Sequence, residues 1–294
     1  MNKYEVVLDV YSTGNFTKTA QHFNYSQSAV SQAVKAFEEE LGFPIFKRTN
    51  AGVKLLPAAE SVIRSLRVIL KEEERLARIS DAMTQAESGT VRLGLFFSFA
   101  VTYLPAMLKA FQATYPRVRF EIFTGNQDEI KEKLSQGEID IAFTSGVSAR
   151  GFYSREIIRD EFMAALPTDH PLTKTPALSI YDFNDLTYIL AGEKFDFEIG
   201  AIVSAAGIVP SYTMEISDEM VALKLIEAGF GVGIFSKFFL DSIPGHAQVA
   251  IRPFKEHYYR ALVIAMNEDY FIPAAAKNFF NFMADWLNQN LTKK

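Results

Sequence analysis

The chain has 294 residues, 49% apolar and 22% charged, with no cysteine and a net charge of −5. That length suits two domains that bury their cores without cross-links. The missing thiols exclude disulfides, thiolate metal sites, a cysteine nucleophile and thiol-based redox sensing. The net charge argues against a surface that binds nucleic acid throughout. Residues 1–70, however, carry eight basic side chains against six acidic ones, a balance of +2 that leaves −7 for the remainder. This is the sign expected if only the front of the chain meets phosphate.

Val7, Leu8 and Tyr11 have helical spacing, and Tyr4 to Tyr11 is read as a first helix ended by Gly14. Asn15 is suited to cap a second short helix, Thr17 to Phe23, and Asn24-Tyr25 makes a turn because Asn tolerates positive φ. Ser26 caps a third helix that runs to about Leu41 and is stopped by Gly42 and Pro44. Two short helices joined by a tight turn suggest a helix-turn-helix, with Ala20 at the crossing and Val30 and Val34 facing inward. The opposite face carries Gln27, Ser28, Ser31, Gln32 and Lys35, side chains able to hydrogen-bond base edges in a major groove. Thr17 and Ser26 flank that face. The same pattern also fits plain three-helix packing with a polar solvent face.

Ile45 to Arg48 and Val53 to Leu56 read as a β-hairpin with Thr49 and Asn50 near its tip, a wing whose Arg48 would lie against the DNA backbone. Pro57 opens a long helix to about Glu87, roughly 45 Å at 1.5 Å per residue. Val62, Leu66, Ile69, Leu76 and Met83 follow alternating four/three spacing along it, the seam expected of a dimerisation helix. Packing on its own chain is the alternative.

At this point residues 1–90 resemble the LysR-type transcriptional regulators. The resemblance is carried by Gly14-Asn15-Phe16-Thr17-Lys18-Thr19-Ala20, Ser26-Gln27-Ser28-Ala29-Val30-Ser31-Gln32, Phe37-Glu38-Glu39-Glu40-Leu41-Gly42, Ile45-Phe46-Lys47-Arg48 and Leu55-Leu56-Pro57-Ala58-Ala59-Glu60. Ser28 stands where the family usually has Pro, Gln32 where Arg is frequent, and Ala59 where Gly is commoner. The resemblance implies double-stranded DNA as a partner, a homodimer or homotetramer, and a small-molecule effector. It also leaves RNA polymerase open as a further contact.

Ser88-Gly89-Thr90 is a polar break, after which strands and helices alternate. Strands are expected at Val91–Phe96, Val118–Phe123 and Ile139–Phe143. Ser98 would cap a helix from Phe99 to Thr114, and a second helix would run from Asn126 to Gln136. This β-α-β-α-β order implies a parallel sheet. Glu161–Leu166 is expected to cross to a second unit with strands at Leu186–Leu190, Tyr212–Ile216 and Val232–Phe235, and helices at Phe197–Ala206 and Asp218–Ala228. Tyr259–Ala265 returns, and Pro273–Asn290 forms a last helix. Two such lobes joined by two crossing strands make a hinged binding module. It matches the LysR effector domain, which resembles periplasmic solute-binding proteins. The expected organisation is therefore an all-α winged helix-turn-helix (1–57), a linker helix (58–89) and a two-lobed α/β effector domain (90–294). By analogy lobe I spans about 91–161 with 266–294, and lobe II about 162–265.

Ligands of open α/β sheets bind beyond the carboxyl ends of the strands. Those ends, with the glycine turn of the second unit, nominate Ser98, Phe99, Thr124, Gly125, Asn126, Thr144, Phe195, Phe197 and Gly231. Free N–H groups and hydroxyls beside aromatic walls suit a small ligand with a carboxylate or similar group and an apolar body.

Other signals exclude chemistry. Gly229, Gly231 and Gly233 lack the dinucleotide fingerprint, and there is no phosphate-binding loop or nucleophile elbow. Glu138 and Asp140 read as a solvated face, and Trp286 as core or subunit interface. His22, His170, His246 and His257 are scattered, so no metal is expected, and neither a cofactor nor catalysis. No basic stretch followed by an apolar run opens the chain, and no window stays apolar for about 18 residues. A cytoplasmic protein with no membrane partner is expected. A solute-binding protein without a DNA role is the alternative, but it leaves residues 1–90 unexplained.

Overall fold

Asn2, Asn15 and Ser26 each turn a side-chain oxygen onto the first free N–H groups of a helix. These caps start α1 (Lys3–Thr13), α2 (Phe16–Phe23) and α3 (Gln27–Leu41). Gly14, Asn24 and Gly42 end them in the left-handed conformation, with φ of 61°, 55° and 79°. This computed structural model describes residues 2–49, 52–84, 88–191, 197–209, 211–243 and 248–291, apart from the side chains of Arg48, Arg78, residues 81–84, Phe197 and Tyr212. The chain divides into two compact units, residues 1–84 and 85–294.

In the first unit the three helices close on Val6, Val7, Val10, Ala20, Val30 and Val34, all buried. A hairpin follows, β1 (Phe46–Thr49) antiparallel to β2 (Gly52–Leu55), with Thr49 opposite Gly52. Two contacts pin it. Glu38 Oε1 accepts from the backbone N–H groups of Ile45 and Phe46 at 2.7 and 3.0 Å. The Val53 N–H donates to the Gly14 carbonyl at 2.8 Å. Gly52 has φ +123°, and a Cβ there would lie 2.6 Å from the Gly14 oxygen, so the close approach requires glycine. Pro57 does not open the long helix directly. A 3-10 turn, Pro57–Ala59, comes first, and α4 then runs Glu60–Thr84. The seam expected along α4 is divided. Ile63 and Leu66 are buried in the core of their own head, with Val62 packed beside them. Ile69 and Leu76 are exposed, as is Val68. The Met83 side chain lies outside the described residues.

The second unit is built on β3 (Gly89–Leu95), flanked in parallel by β4 (Val118–Thr124) and β5 (Ile141–Ser145). The helix expected from Phe99 to Thr114 is two helices, α5 (Phe97–Thr102) and α6 (Leu104–Gln112), the second with Pro105 in its first turn. α7 (Gln127–Ser135) joins β4 to β5. β6 (Tyr153–Pro167) is much longer than the crossing strand expected at 161–166. Then come β7 (Thr187–Ala191), α8 (Phe197–Ala206), β8 (Tyr212–Ile216), α9 (Glu219–Glu227), β9 (Gly233–Ser236), α10 (Lys237–Asp241), β10 (Val249–Pro253), β11 (Tyr259–Met266) and α11 (Ala274–Leu291). The sequence reading missed α10 and β10.

β6 belongs to both lobes. Its first nine residues, Tyr153 to Glu161, pair antiparallel with β11; from Phe162 onward it pairs with β9 and β10. β11 also pairs with β5 from Leu262 to Ala265. The whole of β11 thus lies in lobe I, and the chain returns there near Tyr258–Tyr259 rather than at 265–266. β8, β7 and β9 continue lobe II in parallel, with Tyr188 bridging Val232. Phe111, Phe143, Phe279 and Phe280 anchor the core of lobe I, where Trp286 also packs; Phe162, Phe183 and Phe254 anchor a core of lobe II. Asp140 is not on a solvated face. It is 6% exposed and held by Arg92, whose Nη2 is 2.6 Å from Oδ1 and whose backbone N–H donates to Oδ2 at 2.8 Å. Glu138 instead pairs with Lys133 at 2.7 Å.

Candidate functional site

Positions 27, 28, 31, 32 and 35 are spaced to share one face of α3, opposite the buried Val30, Val34 and Phe37. Gln27, Ser28, Gln32 and Lys35 are exposed, as are Thr17 and Ser26; Ser31 is half-buried. Not all of these polar groups are free. Ser26 Oγ caps α3 and also lies 2.9 Å from Ser28 Oγ, and Lys35 pairs with Glu39 at 3.6 Å. The latter is an exposed ion pair of little energetic weight. Thr49 Oγ1 donates to the Gly52 carbonyl across the wing. Asn50 and the Arg48 side chain lie outside the described residues. Tyr25, in the turn before α3, is exposed as well.

In the second unit, Leu95 is paired with Thr124 on one side and Phe143 on the other, so β3, β4 and β5 end together. Ser98, Thr124 and Thr144 sit at these ends, but their environments differ. Ser98 does not cap α5. The cap position is Phe96, which makes no side-chain cap bond, and Ser98 lies 7% exposed within the first turn. Thr124 is exposed. Thr144 is 1% exposed, and its hydroxyl has no hydrogen-bond partner among the described residues. A buried hydroxyl of this kind costs free energy unless a ligand or water completes it. Beside it, Gln127 Oε1 accepts from the hydroxyls of Ser145 and Ser148 at 2.6 and 2.7 Å, a network the sequence did not disclose.

Four nominated residues have structural contacts of their own. Phe99 is fully buried, stacked 4.0 Å from Phe143, so it is core rather than cleft wall. Asn126 caps α7 in a reciprocal box with Glu129, both bonds 2.9 Å. A Cβ on Gly125 would lie 2.6 Å from the Phe123 ring and from Glu129 Oε2, so both side chains would have to shift. Gly231 is at the wrong end of its sheet. Its neighbour Val232 donates to the carbonyl of Thr187, the first residue of β7, whereas ligands gather beyond the last, Ala191. A Cβ on Gly231 would lie 2.5 Å from that same carbonyl oxygen. Phe195 and the Phe197 side chain lie outside the described residues.

Where the lobes meet, the structure discloses a buried charge cluster. Arg260 Nε donates to Asp160 Oδ2 at 3.0 Å, and its Nη1 lies 3.6 Å from Glu198 Oε2 on α8. Asp160 Oδ1 accepts the Phe238 N–H of α10 at 2.9 Å. A charged residue within the apolar run of β11 was the sequence signal for it.

A winged helix-turn-helix head followed by a hinged two-lobed α/β domain defines a ligand-responsive DNA-binding regulator. Residues 1–60 match the family described as bacterial regulatory helix-turn-helix protein, lysR family, and residues 84–288 match the LysR substrate binding domain. The chain belongs to the LysR family of transcription regulators, proteins that bind DNA and small-molecule effectors and form oligomers. Among relatives, it is 24% identical over 267 residues to the uncharacterized HTH-type transcriptional regulator YvbU of Bacillus subtilis, covering 90% of this chain and 91% of that one. It is 26% identical over 251 residues to the HTH-type transcriptional regulator CysB of Haemophilus influenzae, covering 80% and 75%. In fold it is similar to full-length CbnR in complex with its target DNA, with TM-score 0.71 at 20% identity over 97% of this chain and 98% of that one. It is also similar to the effector binding domain of QuiR in complex with shikimate, with TM-score 0.62 at 19% identity over 69% and 99%.

Proposed function

We propose that two copies of the chain join through the exposed apolar part of α4 (Ile69 and Leu76, with Val68), that pairs of dimers assemble into a tetramer, and that each head reads a half-site through Gln27, Ser28, Ser31, Gln32 and Lys35. The observation that carries the DNA reading is the exposed polar face of α3 beside a wing pinned to the head by Gly14 and Glu38. Arg48 on that wing supplies a backbone contact that positions rather than specifies. The effector is a small carboxylate-bearing molecule held between the lobes near Ser98, Thr124 and Thr144. It acts by binding one arrangement of the lobes better than the other, which is the only way a ligand shifts such an equilibrium. The protein works in the cytoplasm and catalyses no reaction; Thr144, Ser145 and Gln127 form a recognition surface without a nucleophile–base pair.

Capture of genomic fragments by the purified protein, followed by footprinting of the best one, tests this reading. A protected stretch with paired half-sites over several helical turns is expected. No enrichment over random fragments, with and without cell metabolites, overturns it and indicts Ser28 and Gln32, the two departures on the reading face.

A further inference from the structure

Arg260 lies one residue from the point where the chain returns to lobe I. The last hydrogen bond before that point runs from the Phe162 N–H to the Tyr258 carbonyl at 2.9 Å. The Arg260 side chain is 8% exposed. Its guanidinium sits 5.8 Å from the ring of Phe96, which begins the Ser98 turn in lobe I, and 5.3 Å from Phe162 in lobe II. The Gly146 N–H, just past the end of β5, donates to the carbonyl of Ala261, the neighbour of Arg260. The cation therefore stands at the root of the cleft, beside the carboxyl ends of the parallel strands.

Its two acidic neighbours among the described residues meet it at different distances. Asp160 is opposite it in the β6–β11 ladder, and both carboxylate oxygens are engaged, by Arg260 and by the Phe238 N–H. Glu198 comes from lobe II, in the first turn of α8, and meets Arg260 at 3.6 Å, longer than a charge-assisted hydrogen bond. One guanidinium thus faces two carboxylates, Asp160 at hydrogen-bond distance and Glu198 just beyond it. A guanidinium presents several donors in a fork that matches a carboxylate.

Resting on the effector-binding reading above, we propose that Arg260 is the anion receptor of the cleft and that Glu198 is its internal stand-in. An incoming carboxylate takes the place of Glu198, and α8 is released from the hinge. The exchange keeps a buried cation paired throughout, which avoids the cost of exposing an uncompensated charge in a dry site. It also converts anion binding into a change at an ion pair that joins α8 to β11.

The test uses the full-length protein as wild type, Glu198→Gln, Arg260→Gln and Arg260→Lys. Sodium acetate and sodium benzoate are the probes, acetamide and benzamide the neutral controls, all at constant ionic strength with the thermal transition as readout. Carboxylates are expected to raise the transition of Glu198→Gln at about one-tenth the concentration wild type needs, the factor one competing contact of ordinary strength carries. The amides are expected to do nothing, Arg260→Gln to lose the response and Arg260→Lys to keep part of it. Should Arg260→Gln fail to fold, the Glu198→Gln and amide arms still decide. Equal half-effect concentrations in wild type and Glu198→Gln overturn the proposal. So does an amide as effective as its acid, or no carboxylate response in either protein. DNA capture by the same preparations reports separately on the regulator reading, so the two can fail independently.

Discussion

Replacing Phe99 by Ala separates a core residue from a ligand wall. The Phe99 ring is fully buried, 4.0 Å from Phe143 in lobe I and 6.3 Å from Phe238 in lobe II, with an interplanar angle of 11° to the latter. Removing it deletes a close-packed aromatic side chain and its ring contacts with Tyr103, Phe143 and Phe238, and Phe→Ala in such surroundings costs about 3–5 kcal/mol. For a domain of roughly 200 residues each kcal/mol moves the midpoint by about 2–4 °C, so the effector domain should melt roughly 6–20 °C lower. Phe97, 66% exposed and two residues earlier, is the control; Phe97→Ala should stay within about 0.5 kcal/mol. Calorimetry of the full-length variants resolves the two. A Phe99→Ala shift below about 3 °C, or a Phe97→Ala shift as large as that of Phe99→Ala, would refute the assignment of Phe99 to the core.

The remaining expectations concern other parts of the molecule. Gly52→Ala places a Cβ 2.6 Å from the Gly14 oxygen at φ +123°, so the wing must leave α1. Head stability should fall by roughly 2–4 kcal/mol and affinity should drop alike on all DNA sequences, measured by denaturation and by gel shift. Gln27→Ala should relax preference for the operator by about 1–3 kcal/mol, whereas Arg48→Ala should weaken binding to every sequence and lower the salt slope by about 1; equal losses on operator and random DNA for Gln27→Ala remove it from base reading. Thr144→Val removes a buried hydroxyl that has no hydrogen-bond partner among the described residues, so stability should hold or rise while effector response is lost; a preserved response clears Thr144 of ligand contact. Burial, aided by Asp241, raises the Tyr103 phenol above its ordinary pKa of about 10. The folded state therefore keeps the proton longer, and its contribution to stability is full below pH 10 and lost as pH climbs through the raised value. Tyr103→Phe should flatten the alkaline limb of a stability–pH profile.

What could be read from the sequence was whatever is decided within a few residues. Asn15, Ser26 and Gly42 mark helix ends by their own chemistry, and α3 runs Gln27–Leu41 as its caps require. Where two local signals conflicted, tertiary packing decided. Ser98 looks like a cap, yet the helix begins at Phe97 and places Phe99 against Phe143. Strand register was invisible, because it depends on partners far away. Gly231 was nominated from its turn, and only the pairing of Val232 with Thr187 shows that the turn lies at the opposite end of the sheet from Ala191. The first half of β6 is largely exposed and shows no alternation, so its partnership with β11, about a hundred residues later, left no trace in its pattern. The charge cluster was half legible: Arg260 stands out in the apolar run of β11, but its pairing with Asp160, 100 positions away, left no local mark.

The same long-range contacts bear on how the lobes can move. Besides the two crossing strands, lobe I reaches lobe II through the Asp160 bond to the Phe238 N–H, the stacking of Phe99 and Tyr103 on Phe238, and the Arg260–Glu198 ion pair. The first two converge on one residue, Phe238. A hydrogen bond to a buried carboxylate is worth about 1.5–3 kcal/mol, and breaking it would strand a buried charge as well. The Glu198 contact is longer and comes from the start of a helix. On the proposed exchange, a small ligand with a few kcal/mol of differential affinity acts on the second kind of contact rather than the first. If the proposed exchange at Arg260 operates, Phe238 and Asp160 are the expected pivot and α8 the part expected to shift, so a change of lobe angle need not disturb the aromatic core on either side of it.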